Sequence, residues 1–169
     1  MGRKKYFAAL AAAGMIGAMA VGSVFNSYAA DGWTKSNDHW TYIYQGKTYT
    51  GWLETSEGKY YMDLSDGHMT TGFKQIDGKW YFFRPNGVMA QNRWANPEYG
   101  KWYYFLDDGT MVTGWLKIGN DYYFMRGDGS MGTGWRQMEG SWYYFQSNGK
   151  CVVNSWEQIK NNWYLFGTD

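Results

Sequence analysis

The sequence predicts an all-β fold, a solenoid of stacked β-hairpin repeats of about 20 residues preceded by a signal peptide. Three observations carry that prediction. An anchor, usually Gly-Trp, recurs at Trp33, Trp52, Phe73, Trp94, Trp115, Trp135 and Trp156, at spacings of 19, 21, 21, 21, 20 and 21 residues. A second aromatic follows each anchor by seven or eight residues: Trp40, Tyr60, Trp80, Trp102, Tyr122, Trp142 and Trp163. No segment after residue 29 keeps a 3.6-residue apolar period over ten or more residues, so essentially no helix is expected there.

Composition narrows the classes. Aromatics make up 21% of the 169 residues, as 11 Trp, 16 Tyr and 9 Phe, whereas disordered chains are poor in aromatics. The 16 basic and 15 acidic residues leave a formal charge of +1, which supplies no general basic field for nucleic acid. One Cys excludes an intramolecular disulfide framework. Two His and one Cys leave little for a zinc site, which takes roughly three or four such ligands. No cofactor is expected.

The first element is a targeting segment. Arg3, Lys4 and Lys5 open it, Tyr6 to Phe25 carries no charge, and Ser27-Tyr28-Ala29 places small residues where a signal peptidase cuts. Cleavage after Ala29 is expected, which leaves no stable membrane anchor and assigns residues 1–29 to a signal peptide and 30–169 to one repeat domain. The alternative is an uncleaved anchor, since about 20 uncharged residues can span a bilayer. After cleavage 13 basic residues face 15 acids, a formal charge of −2 with His neutral. The chain would then work outside the cytoplasmic membrane, without a disulfide.

The repeats follow. Seven residues beyond the second aromatic, five of seven units carry Gly67, Gly87, Gly109, Gly129 or Gly149, and two residues later stand Met69, Met89, Met111, Met131 and Cys151. Each unit reads as a hairpin. Trp102-Tyr103-Tyr104-Phe105 is an aromatic strand, Leu106-Asp107-Asp108-Gly109 the turn, and Thr110-Met111-Val112-Thr113 the return strand. Asp66-Gly67, Asn86-Gly87, Asp128-Gly129 and Asn148-Gly149 repeat the turn signal. A lone hairpin is marginal in water, but a stack can share an aromatic core. The first and last units depart from the pattern, as capping repeats do.

Alternation puts Trp102 and Tyr104 on one side of their strand and Tyr103 and Phe105 on the other. Core packing alone can explain such columns. Leu and Ile would fill a core without needing polar partners, however, and Trp is seldom fully buried and attracts cations through its face. The columns suit both a core and a box for a soft cation.

The run Gly72-Phe73-Lys74-Gln75-Ile76-Asp77-Gly78-Lys79-Trp80-Tyr81-Phe82-Phe83 resembles the choline-binding, or cell-wall-binding, repeat of Gram-positive surface proteins and autolysins. So does Thr133-Gly134-Trp135 with Trp142-Tyr143-Tyr144-Phe145 and Asn148-Gly149. The resemblance covers about residues 32–169. It implies a left-handed β-solenoid that holds the choline of teichoic or lipoteichoic acid between successive repeats, without catalysis, on a secreted, cell-wall-associated protein. It also implies the site residues. One set is Trp52, Tyr60, Met69 and Phe82; the next is Phe73, Trp80, Met89 and Tyr104. A third is Trp94, Trp102, Met111 and Phe124, and a fourth is Trp115, Tyr122, Met131 and Tyr144. Two seams depart from the pattern: Trp33 and Trp40 would meet Met62, and Trp135 and Trp142 would meet Leu165 with Cys151 in the Met column. Weak binding is expected at both. Family members sometimes dimerise through terminal repeats, which leaves a homodimer open.

A trimethylammonium head suits such a box because it has no N–H donor to satisfy and its charge is spread over methyl groups. Catalytic constellations are missing from the pattern. His39 and His68 fall in different units, Cys151 stands in a packing column, and Asp107-Asp108 belongs to a turn, where Asp is favoured for backbone reasons. The chain reads as non-enzymatic. The alternatives are a polysaccharide binder, like related repeats of glucan-binding proteins and clostridial toxins, and an adhesive, protein-binding solenoid.

Overall fold

Every anchor opens the first strand of a hairpin, and every Trp-Tyr-Tyr-Phe-like run forms the second. The computed structural model describes residues 30–168; the expected signal peptide, residues 1–29, lies outside the described residues. The strands are β1 (Gly32–Ser36), β2 (His39–Tyr44), β3 (Lys47–Thr48), β4 (Gly51–Thr55), β5 (Gly58–Met62), β6 (Gly72–Ile76), β7 (Lys79–Phe83), β8 (Arg93–Glu98), β9 (Lys101–Phe105), β10 (Gly114–Ile118), β11 (Asp121–Met125), β12 (Gly134–Met138), β13 (Ser141–Phe145), β14 (Ser155–Ile159) and β15 (Asn162–Phe166). The described residues contain no helix, and so no helix long and apolar enough to cross a membrane.

Pairing is antiparallel within each hairpin, and β3 adds a third strand to the first. Two-residue turns close the hairpins. Both central residues have positive φ at Asn37-Asp38 (47° and 64°), Asp77-Gly78 (49° and 76°) and Glu139-Gly140 (50° and 85°). That is the type I′ geometry, whose twist matches that of the strands it joins.

This corrects the hairpin read from sequence. The Trp102–Phe105 run pairs with the anchor strand before it, not with the run after Asp108-Gly109. The Asp-Gly and Asn-Gly segments reverse the chain between hairpins instead. Gly109 N–H donates to the Leu106 carbonyl (3.0 Å), Leu106 N–H to the Thr110 carbonyl (2.9 Å), and beyond these lies one bridge, Phe105 with Met111. The return run cannot extend as a partner because its backbone serves the preceding hairpin: Met111 N–H donates to the Trp80 carbonyl at 2.8 Å.

The described residues divide into two compact units, 30–71 with Phe83–Met89, and Gly72–Phe82 with 90–168. The first unit buries Leu53, Tyr60, Met62 and Val88 against Trp33, Tyr42, Tyr49 and Met69. The second has one cluster of Phe82, Ala90, Tyr103 and Phe105, and another of Tyr104, Val112, Leu116, Tyr123 and Met125. The last residue of the second strand is the deepest column: Met62, Phe83, Phe105, Met125 and Phe145 are fully buried.

Register explains the uneven spacing. Trp94 to Trp102 is eight residues because a bulge between Ala95 and Glu98 absorbs one. Pro97 sits in it, as suits a residue with no N–H for a ladder. Trp52 to Tyr60 is eight residues for another reason. Leu53 pairs with Tyr60 and Glu54 with Lys59, so Lys59 holds the place that Tyr122 holds opposite Lys117.

Candidate functional site: the seams between hairpins

Each hairpin has two faces. In β10–β11, the pairs Trp115–Phe124 and Lys117–Tyr122 lie on one, and Leu116–Tyr123 and Gly114–Met125 on the other. Within each unit the anchor face of one hairpin meets the opposite face of the next. Trp115 packs edge-on against Tyr143 (5.1 Å between centroids), Trp94 against Tyr123 (5.1 Å) and Trp135 against Tyr164 (4.9 Å). Phe73 meets Tyr103 at 5.0 Å, and Trp33 meets Tyr60 at 4.8 Å.

The aromatic across the seam is therefore the second residue of the next hairpin's Trp-Tyr-Tyr-Phe-like run, not the third as the resemblance implied. The third residue packs on the anchor of its own hairpin: Phe82 on Phe73, Tyr104 on Trp94, Phe124 on Trp115 and Tyr144 on Trp135, at 5.2 to 5.8 Å. The reason is the two-residue period of a strand. A third residue shares a face with its own anchor, so it cannot also point back at the preceding hairpin.

The Met column shifts by one repeat. Met131 N–H donates to the Trp102 carbonyl and Met69 N–H to the Trp40 carbonyl, both at 2.7 Å, and Met111 reaches Trp80 in the same way. Met131 packs on the cluster that Trp94 flanks, and Met111 on the cluster that Phe73 flanks. Cys151 N–H donates to the Tyr122 carbonyl, which puts a thiol in the Met position beside Trp115; burial raises its pKa and keeps it protonated. Met89 N–H donates to the Lys59 carbonyl, a second sign that Lys59 holds the outer column.

The sets brought together are thus Trp33, Trp40, Tyr60 and Met69; Phe73, Trp80, Tyr103 and Met111; Trp94, Trp102, Tyr123 and Met131; and Trp115, Tyr122, Tyr143 and Cys151. Tyr60 is not an outer wall of the Trp52 hairpin: it is 3% exposed and belongs to the Trp33 seam. Trp52 packs on Tyr61 and Phe83.

The two seams expected to be poor have three aromatics each. Trp33 and Trp40 stand at 87° with centroids 6.4 Å apart, and Tyr60 closes the group in place of Met62. Trp135 and Trp142 stand at 83° and 6.2 Å, and Tyr164 is the third ring where Leu165 was expected. A cavity of about 260 Å³ opens there, lined by Trp135, Trp142, Tyr143, Val152, Tyr164, Leu165, Phe166 and Gly167. Trp142 is 59% exposed, so its ring is open to a solute. The overlooked signal was parity along the strand, which made Tyr143 and Tyr164 the inward neighbours.

Charge differs between seams. The residue after each anchor is Thr34, Leu53, Lys74, Ala95, Leu116, Arg136 or Glu157. Burial, and then the neighbouring Arg126, lower the Arg136 pKa. Glu157 accepts a hydrogen bond from Gln146 Nε2 at 3.0 Å.

Comparison with known proteins places these repeats. A family model described as choline-binding repeat matches residues 70–105 and 98–134, and one described as cell wall binding repeat matches 50–69, 133–151 and 154–169. Among solved structures, the chain is similar to CbpJ of Streptococcus pneumoniae (34% identity, TM-score 0.76, covering 81% of this chain and 50% of that one). It is similar to choline binding protein F of S. pneumoniae, solved with a peptidoglycan analogue (34%, TM-score 0.73, 80% and 49%). It is also similar to the cell wall endolysin of phage Cp-1 complexed with choline (32%, TM-score 0.53, 70% and 35%). The chain spans about half the length of the first two. Comparison with the curated proteins gives no match.

Proposed function

Because the chain belongs to the choline-binding, cell-wall-binding repeat family, we propose that it is a non-catalytic attachment module for choline-bearing teichoic or lipoteichoic acid. It is secreted behind the signal peptide of residues 1–29 and works on the cell wall, with aromatic boxes between repeats as the binding sites. The observation that carries this reading is the cavity walled by Trp135, Trp142 and Tyr164. Trp142 and Tyr164 stand at 83° and 70° to Trp135, and so offer several faces to one compact cation. Each good ring contributes roughly 0.5–2 kcal/mol to a quaternary ammonium. A Lys ammonium would lose strong hydration on entering the same box.

The Trp33, Phe73 and Trp94 sets provide further boxes of three aromatics and a Met. Each alone is weak. Several on one chain facing a polymer with many cholines bind tightly through effective concentration, with no new contact. A stacking site for sugar rings would want flat, open rings with polar neighbours rather than crossed rings with Met or Leu.

Two measurements test the reading. The full chain should be retained on an amine-bearing resin and released by free choline, but not by a glucose polymer or by sodium chloride at equal concentration. Titration of Trp142→Leu should show one choline equivalent fewer, with little loss of fold because the ring is exposed. Release by the glucose polymer instead would assign the seams to carbohydrate.

A further inference from the structure

The seam between β10–β11 and β12–β13 already holds cations of the chain itself. The Arg136 guanidinium carbon stands 5.6 Å from the Phe124 ring centroid, and Lys117 Nζ stands 4.9 Å from that of Tyr122. Both rings lie on the anchor face of β10–β11, Phe124 opposite Trp115 and Tyr122 opposite Lys117. Arg136 occupies a position where the equivalent residues Leu53 and Leu116 are buried apolar core. Its Nε is buried with no hydrogen-bond partner among the described residues. An unpartnered buried N–H is costly. The neighbouring seam has the opposite sign: Glu157 stands where Arg136 does, and Gln137 pairs with Trp142 where Lys117 pairs with Tyr122.

We propose that Arg136, assisted by Lys117, is a specificity-determining residue that closes the Trp115 seam to quaternary ammonium ligands and leaves the Trp135 seam open. A ring face attracts one cation at a time, and a second positive charge in a seam of low dielectric is repelled by the first. Arg136 is the stronger block because it is half-buried and held by packing. Lys117 is exposed and only caps the outer ring, as Lys35 does over Trp40 at 6.0 Å in the Trp33 seam. Cys151 in place of Met leaves the same seam less apolar wall. The inference rests on the choline reading, which it refines seam by seam.

Fluorine NMR of the full chain labelled with fluorotryptophan separates the two ideas, with signals assigned by Trp115→Phe and Trp135→Phe. In the parent, the Trp135 signal should move with choline while Trp115 responds at no less than about tenfold higher concentration. Arg136→Leu with Lys117→Gln restores the residue types found at Leu116 and Gln137, so the fold should hold and the melting temperature should not fall. In that variant the Trp115 midpoint should drop to within about threefold of the Trp135 midpoint. Lys117→Gln alone should recover only a minor part of the shift. Equal Trp115 and Trp135 midpoints in the parent would overturn the proposal while leaving the choline reading intact. So would an unmoved Trp115 midpoint in a folded double variant whose Trp135 still responds. Silence of every tryptophan in both proteins would overturn the choline reading and this proposal with it.

Discussion

Two glycines with nearly the same backbone make unequal demands. Gly140 (φ 85°) and Gly149 (φ 83°) both lie in the left-handed region. A Cβ on Gly140 would meet open space, whereas one on Gly149 would collide with the Met131 side chain. Gly140→Ala should therefore cost only the left-handed strain, about 1–2 kcal/mol. Gly149→Ala should cost about 1 kcal/mol more, because the flexible end of the Met131 side chain must swing aside. Urea unfolding of the two variants checks the difference; equal losses would show that Met131 moves freely. Asp128 is a second residue with a readable effect. Its carboxylate accepts hydrogen bonds from Ser130 N–H (2.9 Å) and Ser130 Oγ (2.6 Å), which together lower its pKa. A carboxyl whose folded pKa is depressed adds stability that is present above the unfolded pKa, near 3.9 for Asp, and is lost as pH falls through the folded value. Asp128→Asn keeps an acceptor oxygen and should flatten the fall in melting temperature below about pH 4. The effect should be small, since the group is largely solvated.

At the scale of one hairpin, the columns were legible from sequence and the register was not. Spacing alone located all seven anchors and the outer aromatics Trp80, Trp102, Tyr122 and Trp142, because a tertiary repeat imposes its period directly. It misplaced Tyr60, because an eight-residue gap has two physical causes. One is the bulge before Trp102; the other is a plain substitution of Lys59 into the outer column. Only backbone pairing distinguishes them. The turn was also misread, since Asp108-Gly109 carries the strongest hairpin signal in its repeat while Tyr99-Gly100 closes the actual hairpin. Both segments reverse the chain, and sequence does not state which reversal carries the longer ladder. Glu139 shows the margin left in the true turns. It adopts φ 50° at the first position of a type I′ turn, where Asn is at ease. Glu139→Asn should stabilise by about 0.5 kcal/mol, read as a higher urea midpoint with unchanged slope; an unchanged midpoint would place the strain elsewhere.

For the whole molecule, local hairpins must be tied by contacts between neighbours, and the seams that provide them are also the proposed sites. Trp33, Phe73, Trp94 and Trp135 each pack against the next hairpin, so a ligand seated beside them touches two repeats at once. Binding of that kind favours the folded chain alone, because an unfolded chain has no paired hairpins to form a wall. Each occupied seam then adds RT ln(1 + [L]/Kd), about 2.7 kcal/mol at a hundredfold excess over Kd. Millimolar choline should raise the melting temperature progressively, and several seams should contribute to one unfolding transition if the repeats melt together. Sodium chloride at the same concentration should do far less, since the rings act at short range and the chain's formal charge is only +1. Tetramethylammonium should mimic choline, because the methylated nitrogen is the part a ring recognises, whereas ethanolamine should be inert because its ammonium keeps its water. Equal melting curves in choline and ethanolamine would mean that the boxes read charge rather than the methylated head, and that the crossed rings serve only to hold the hairpins together.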